Sequence, residues 1–148
     1  MDMSPLKKTY QRILVGVDDS DDAQLAFRYA IQYAKERHAT LIITSIWESQ
    51  EMNYYQALNP NFVHGSKQDV IDHLKKYRQF AEKQGVKNVK TVMGEGHAGE
   101  QIVKKIIPAT KPDLLIIGSL SVKGLRKHMG TQAGYMSKYA PISVMVVR

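Results

Sequence analysis

Pro112-Asp113-Leu114-Leu115-Ile116-Ile117-Gly118-Ser119 is the stretch on which the reading of this chain turns. The unbroken apolar run at 114–117 suits a strand buried on both faces, as in parallel sheets. Gly118 stands at its carboxyl end. A basic loop follows, Leu120-Ser121-Val122-Lys123-Gly124-Leu125-Arg126-Lys127-His128-Met129, and then Gly130-Thr131. That pair can open a helix over 133–139. The first turn of a helix carries unpaired N–H groups and a partial positive charge, so beyond a strand's carboxyl end it suits an anion. The charge balance points the same way: from Leu114 to Arg148 there is no Asp or Glu, against five basic residues, Lys123, Arg126, Lys127, Lys138 and Arg148. The residues alone are compatible with phosphate, but read first as a solvated loop whose glycines only make turns.

Downstream, Ile142-Ser143-Val144-Met145-Val146-Val147 reads as a last strand. Upstream, Ile102, Val103, Ile106 and Ile107 give the inner face of a helix over 101–109. A weakly alternating strand is expected at 89–93, followed by a turn at Gly94-Glu95-Gly96-His97. Ser66-Lys67-Gln68-Asp69 resembles a capping box. It leads into a helix with Val70, Leu74, Tyr77 and Ala81 on one face and a stop near Gly85. Residues 48–65 have no clear period and are read as a long loop, whose Tyr54, Tyr55 and Phe62 either cover a ligand or pack among themselves. Strands are expected at 40–47 and within 10–17. Between them runs a helix capped by Ser20, with Ala23, Ala26, Phe27, Ala30, Ile31 and Ala34 at helical spacing. Residues 1–9 are read as a loose arm and 10–148 as one domain.

The order β-α-β-α-β-α-β-α-β predicts an α/β fold: an open, doubly wound, mostly parallel five-stranded sheet, Rossmann-like, with helices on both faces. Should the strand order reverse beside strand one, a crevice opens between the carboxyl ends of the first and fourth strands.

Composition sets the limits. A chain of 148 residues with 43% apolar content can bury one core. It has no Cys, which removes disulfides and thiolate chemistry. No stretch matches a membrane helix or a signal peptide, so a cytoplasmic protein with no membrane role is expected. The net charge of +7 permits nucleic-acid binding without demanding it. No Walker motif, G-x-S-x-G elbow or H-x-x-x-H pair occurs, and the acids at 18–22 do not match a calcium loop. No dedicated catalytic machinery and no protein-held metal are expected.

The segment that opened this reading resembles the carboxy-terminal signature of the universal stress protein family. The family's nucleotide-binding branch has Gly, two residues, Gly, nine residues, then Gly-Ser or Gly-Thr, with a helix and a Pro-Val-x-Val-Val strand after it. Gly118, Gly130-Thr131 and Pro141-Ile142-Ser143-Val144-Met145-Val146-Val147 match. Ser121 replaces the second Gly, and eight residues rather than nine separate it from Gly130. Asp18, taken alone, reads as a helix-start acid like Asp19, Asp21 and Asp22. The resemblance instead puts Gly16-Val17-Asp18 at the nucleotide site and Ile46 at an apolar wall against adenine.

The resemblance implies an ATP-binding stress protein with at most slow hydrolysis and with Mg carried by the phosphates. Adenosine would lie near Val17, Asp18 and Ile46. Phosphates would meet Gly118, Ser119, Ser121, Gly130, Thr131 and Gln132. It also implies a homodimer through the last strand, with Val144 and Val146 near the axis. Two alternatives stay open: a dimeric interaction module of the same family that has lost nucleotide binding, and a basic nucleic-acid-associated protein, which has charge alone in its favour.

Overall fold

The computed structural model describes residues 1–6, 9–18, 20–48, 66–119 and 131–148. Five strands form one sheet: β1 Arg12–Gly16, β2 Thr40–Trp47, β3 Val89–Glu95, β4 Leu114–Gly118 and β5 Ser143–Val147. The spatial order is β3-β2-β1-β4-β5, and all four pairings are parallel. The order reverses between β1 and β4, the condition stated above for a crevice between their carboxyl ends.

Alternation along each strand divides the core in two. One face carries Ile13, Val15, Leu41, Ile43, Leu114 and Ile116. Two helices cover it, α1 (Asp21–Arg37) and α2 (Ser66–Lys83). The other face carries Leu14, Ile42, Leu115 and Ile117. A helix at 98–110, α3, and a final helix, α4 (Thr131–Tyr139), cover that side. The six residues Ile13, Leu14, Leu41, Ile42, Leu115 and Ile116 are all fully buried. Each contributes on the order of 1.5–3 kcal/mol over exposure. This central, doubly covered sheet is why β1, β2 and β4 read as apolar runs instead of alternating.

The helix ends follow their chemistry. Ser20 caps α1 by accepting from Ala23 N–H at 3.2 Å. Asp21 and Asp22 lie in the first turn, where the helix dipole favours acids. Helix α2 ends in a paired turn: Val86 N–H donates to Ala81 C=O, and Gly85 N–H, at φ 107°, to Glu82 C=O. The stop expected at Gly85 is therefore present.

Two boundaries differ from the expectation. Strand β3 runs two residues further, through Gly94 and Glu95, because Ile46 and Trp47 of β2 pair with them. Helix α3 begins at Ala98 and is not uniform. Ala98–Gln101 is α-helical, Ile102–Ile106 is π-helical, and Ile107–Thr110 returns to α with Pro108 in its first turn. Gly99, which precedes the helix expected over 101–109, sits inside it: a Cβ there would meet Gln132 Oε1 at 2.7 Å. The expected loop at 48–65 lies, apart from Glu48, outside the described residues, as does the basic loop at 120–130. Among the described residues no helix is long and apolar enough to cross a membrane.

Candidate functional site

The carboxyl edge of β1 and β4 is built by four short pieces of chain. Val17 is buried at the end of β1, its N–H donating to Thr44 C=O at 2.9 Å. Asp18 follows. Its Oδ1 accepts Ser20 N–H at 2.7 Å, a local turn that sets the start of α1. Its carbonyl accepts a longer bond, 3.4 Å, from the Tyr77 hydroxyl of α2.

Across the reversal, Gly118 ends β4 directly against the first turn of α1. A Cβ on Gly118 would stand 2.6 Å from Ala23 N and 2.7 Å from the Asp22 carbonyl carbon. The glycine is thus required by packing, a reason the sequence did not disclose. Ser119 is also engaged. Its hydroxyl donates to Asp22 Oδ2 at 2.5 Å, and its N–H donates to Val147 C=O at 2.9 Å. The Ser119 N–H expected to meet phosphate is accordingly held by β5.

Ile46 lies on the α3–α4 side of the sheet, packed on the second core cluster. Its Cδ1 occupies the space a Cβ of Gly94 would need, at 2.4 Å. Gly94 was read as a turn residue. It is a strand residue whose missing side chain makes room for Ile46. Beside Ile46, Trp47 ends β2 with its indole N–H buried and without a hydrogen-bond partner among the described residues. Lys67 Nζ stands 5.4 Å from its ring centroid and 3.6 Å from Glu95 Oε2.

The fourth piece is the amino end of α4. Its carboxyl end leads through a short turn into β5, parallel to β4, so its amino end lies at the carboxyl edge of the sheet. Gln132 pins it there, its Oε1 accepting Gly99 N–H at 2.6 Å. Val17, Asp18, Ile46, Gly118, Ser119 and Gln132 therefore all fall on the carboxyl edge. Ser121, Gly130 and the Thr131 side chain lie outside the described residues.

With this edge in view, comparison with known proteins is decisive. The sequence model of the universal stress protein family matches residues 9–148. The chain belongs to that family. A putative universal stress protein of Staphylococcus saprophyticus is 31% identical over 141 residues, spanning 95% of this chain and 84% of its own. Among solved folds, universal stress protein UspA from Lactobacillus plantarum superimposes with a TM-score of 0.80 at 23% identity, covering 96% of this chain and 100% of the other. A universal stress protein solved in complex with cAMP superimposes at 0.70 and 20% identity, covering 95% and 99%. The five-stranded α/β sheet is thus the fold of universal stress proteins. At these identities the structural likeness speaks for fold alone.

Proposed function

We propose that this universal stress protein binds an adenine nucleotide, ATP by preference, in the crevice between the carboxyl ends of β1 and β4. The observation that carries the reading is the strand reversal, which brings the ends of β1 and β4, at Val17-Asp18 and Gly118-Ser119, side by side on the carboxyl edge where α4 also begins. Crevices at such reversals are where open α/β sheets take ligands. The cAMP complex of a fold neighbour supports adenine as the base.

Asp18 offers its carboxylate to a ribose hydroxyl or the adenine amino group at the end of β1. Ile46 supplies the apolar wall. The N–H groups at 130–132 and the Thr131 hydroxyl meet the phosphates, with Mg held by the phosphates themselves. Stress response or signalling, in the cytoplasm, would follow from occupancy rather than from turnover. The protein acts as a homodimer through β5, an edge strand with one unpaired side among the described residues.

The test is calorimetry of ATP and adenosine on the wild type and Thr131→Ala. The expected result is ATP weakened about 10- to 100-fold, the loss of one hydrogen bond to a charged group, with adenosine little changed. Absence of nucleotide both in extracts of the purified protein and on titration would overturn the reading in favour of the interaction module.

A further inference from the structure

Helices α1 and α2 pack on the same face of the sheet and leave a groove of about 420 Å³ between them. It is lined by Gln24, Phe27 and Arg28 of α1 and by His73, Lys76, Tyr77 and Phe80 of α2. The α2 residues fall at i, i+3, i+4 and i+7, one flank of a helix. The floor is aromatic. The Phe27 ring meets Tyr77 edge-on at 4.7 Å and 82°, and Phe80 at 6.1 Å. Phe27 is buried, whereas Phe80 remains 46% exposed at the mouth. One exposed aromatic is unremarkable on a protein surface; three joined in a concave floor form a binding surface for a flat apolar body.

The rim is cationic. Arg28 and Lys76 are exposed and form no ion pair with any described residue. Elsewhere on α2, Glu82 pairs with Arg78 at 2.7 Å and Asp72 accepts from Gln68 at 3.0 Å. Among the described residues no carboxylate lines the groove. Two unpaired cations above an aromatic floor are complementary to a ring that carries an acid group, through cation–anion attraction at the rim and ring contact below.

We infer that this groove binds a small aromatic anion, a flat ring system with a single carboxylate, sulfonate or phosphate. Its volume is within the range of small-molecule sites. The site is separate from the proposed nucleotide crevice, and does not depend on it. Among the described residues Tyr77 links the two: it lines the groove and its hydroxyl donates to Asp18 C=O.

The experiment is a fluorescence titration of the full chain with 8-anilinonaphthalene-1-sulfonate in the presence of saturating ATP. Saturable one-to-one binding is expected. Lys76→Glu and Arg28→Glu should each weaken it about tenfold or more, as expected on losing a charged contact and gaining a repulsive one. Both positions are exposed, so the variants should keep the wild-type circular dichroism and melting temperature. Lys104→Glu, on α3 across the sheet, should leave binding unchanged. 1-Naphthoate should displace the dye. Undiminished binding in both groove variants overturns the inference, and so does competition by ATP, which would move the dye to the nucleotide crevice. Displacement by a Glu-rich peptide but not by 1-naphthoate would assign the groove to a protein partner and also overturn it.

Discussion

Gly118 and Ala23 approach so closely that the backbone nitrogen of Ala23 lies 2.6 Å from where a Cβ on Gly118 would be. The contact is backbone to backbone, so no rotamer can relieve it. Gly118→Ala must push α1 away from β4 or bend the end of the strand. The expected cost is about 1–3 kcal/mol, the usual range for overpacking. Gly134→Ala is the matched control: its Cβ would have open space in α4. There the exchange should stabilise by roughly 0.5–1 kcal/mol, because glycine is the poorer helix former. Urea unfolding of the two variants checks both signs, and a Gly118→Ala protein as stable as wild type would refute the packing argument.

Gly94→Ala separates packing from ligand contact. The new Cβ would displace Ile46 Cδ1, the tip of a flexible side chain, with Ile106 Cδ1 behind it at 3.2 Å. Stability should fall less than for Gly118→Ala. Adenosine affinity should fall measurably, because the wall moves. Trp47, the one tryptophan of the chain, adjoins Ile46 and can report both the melt and the titration. Unchanged adenosine affinity would remove Ile46 from the site.

Asp18→Asn retains an oxygen for Ser20 N–H and removes the charge. Asp18→Ala removes both. The proposed contact with ribose or adenine predicts that both variants weaken adenosine. The turn into α1 predicts that only Asp18→Ala loses stability, by about 0.5–1.5 kcal/mol for one hydrogen bond. Equal adenosine affinity in all three proteins would assign Asp18 to the turn alone.

The β5 edge carries the prediction for assembly. Val144 and Val146 are partly buried on the second core cluster, while Met145 is 37% exposed on the opposite face. Met1, Met3 and Leu6 are 81–110% exposed, so residues 1–6 do not cover this edge. Light scattering at micromolar concentration should give a dimer for the wild type. Val144→Pro removes a main-chain donor and should yield monomer or insoluble protein. A wild-type monomer, or an intact dimer in the variant, contradicts the proposal.

What the sequence disclosed was set by pattern strength. Leu114 to Ile117 and Leu41 to Ile43 announced central strands, because burial on both faces leaves no other residue type tolerable there. Ser20 and Gly85 marked helix ends through local bonds between residues close in the chain. Gly94, expected in a turn, and Gly99, left outside the helix expected over 101–109, share one reason. Each is a glycine inside a regular element, and each answers to a side chain that arrives from elsewhere, Ile46 or Gln132. Local propensity reads glycine as an interruption and has no access to that neighbour. The engagement of Ser119 with Asp22, 97 residues away, was hidden in the same way. Of the expected site, the β-α alternation pointed to the carboxyl edge, and the family resemblance assigned Asp18 and Ile46 to it.

That strand order also governs when the protein can become whole. Strand β1 pairs with β4 through Ile13–Leu114, Leu14–Leu115 and Val15–Ile116, partners about a hundred residues apart. Asp113 fastens the near end by accepting from Gln11 N–H at 2.9 Å and Arg12 N–H at 3.0 Å. During synthesis β1, β2 and β3 can meet early, but the innermost seam must wait until most of the chain has left the ribosome. Until then β1, destined for the centre of the sheet, is an open border. Long-range parallel pairings of this kind are slow and leave apolar edges exposed meanwhile. The proposed crevice lies on that same seam. A ligand gripping both of its sides would act as a clasp on the last joint to close, favouring the finished chain over its unfinished forms.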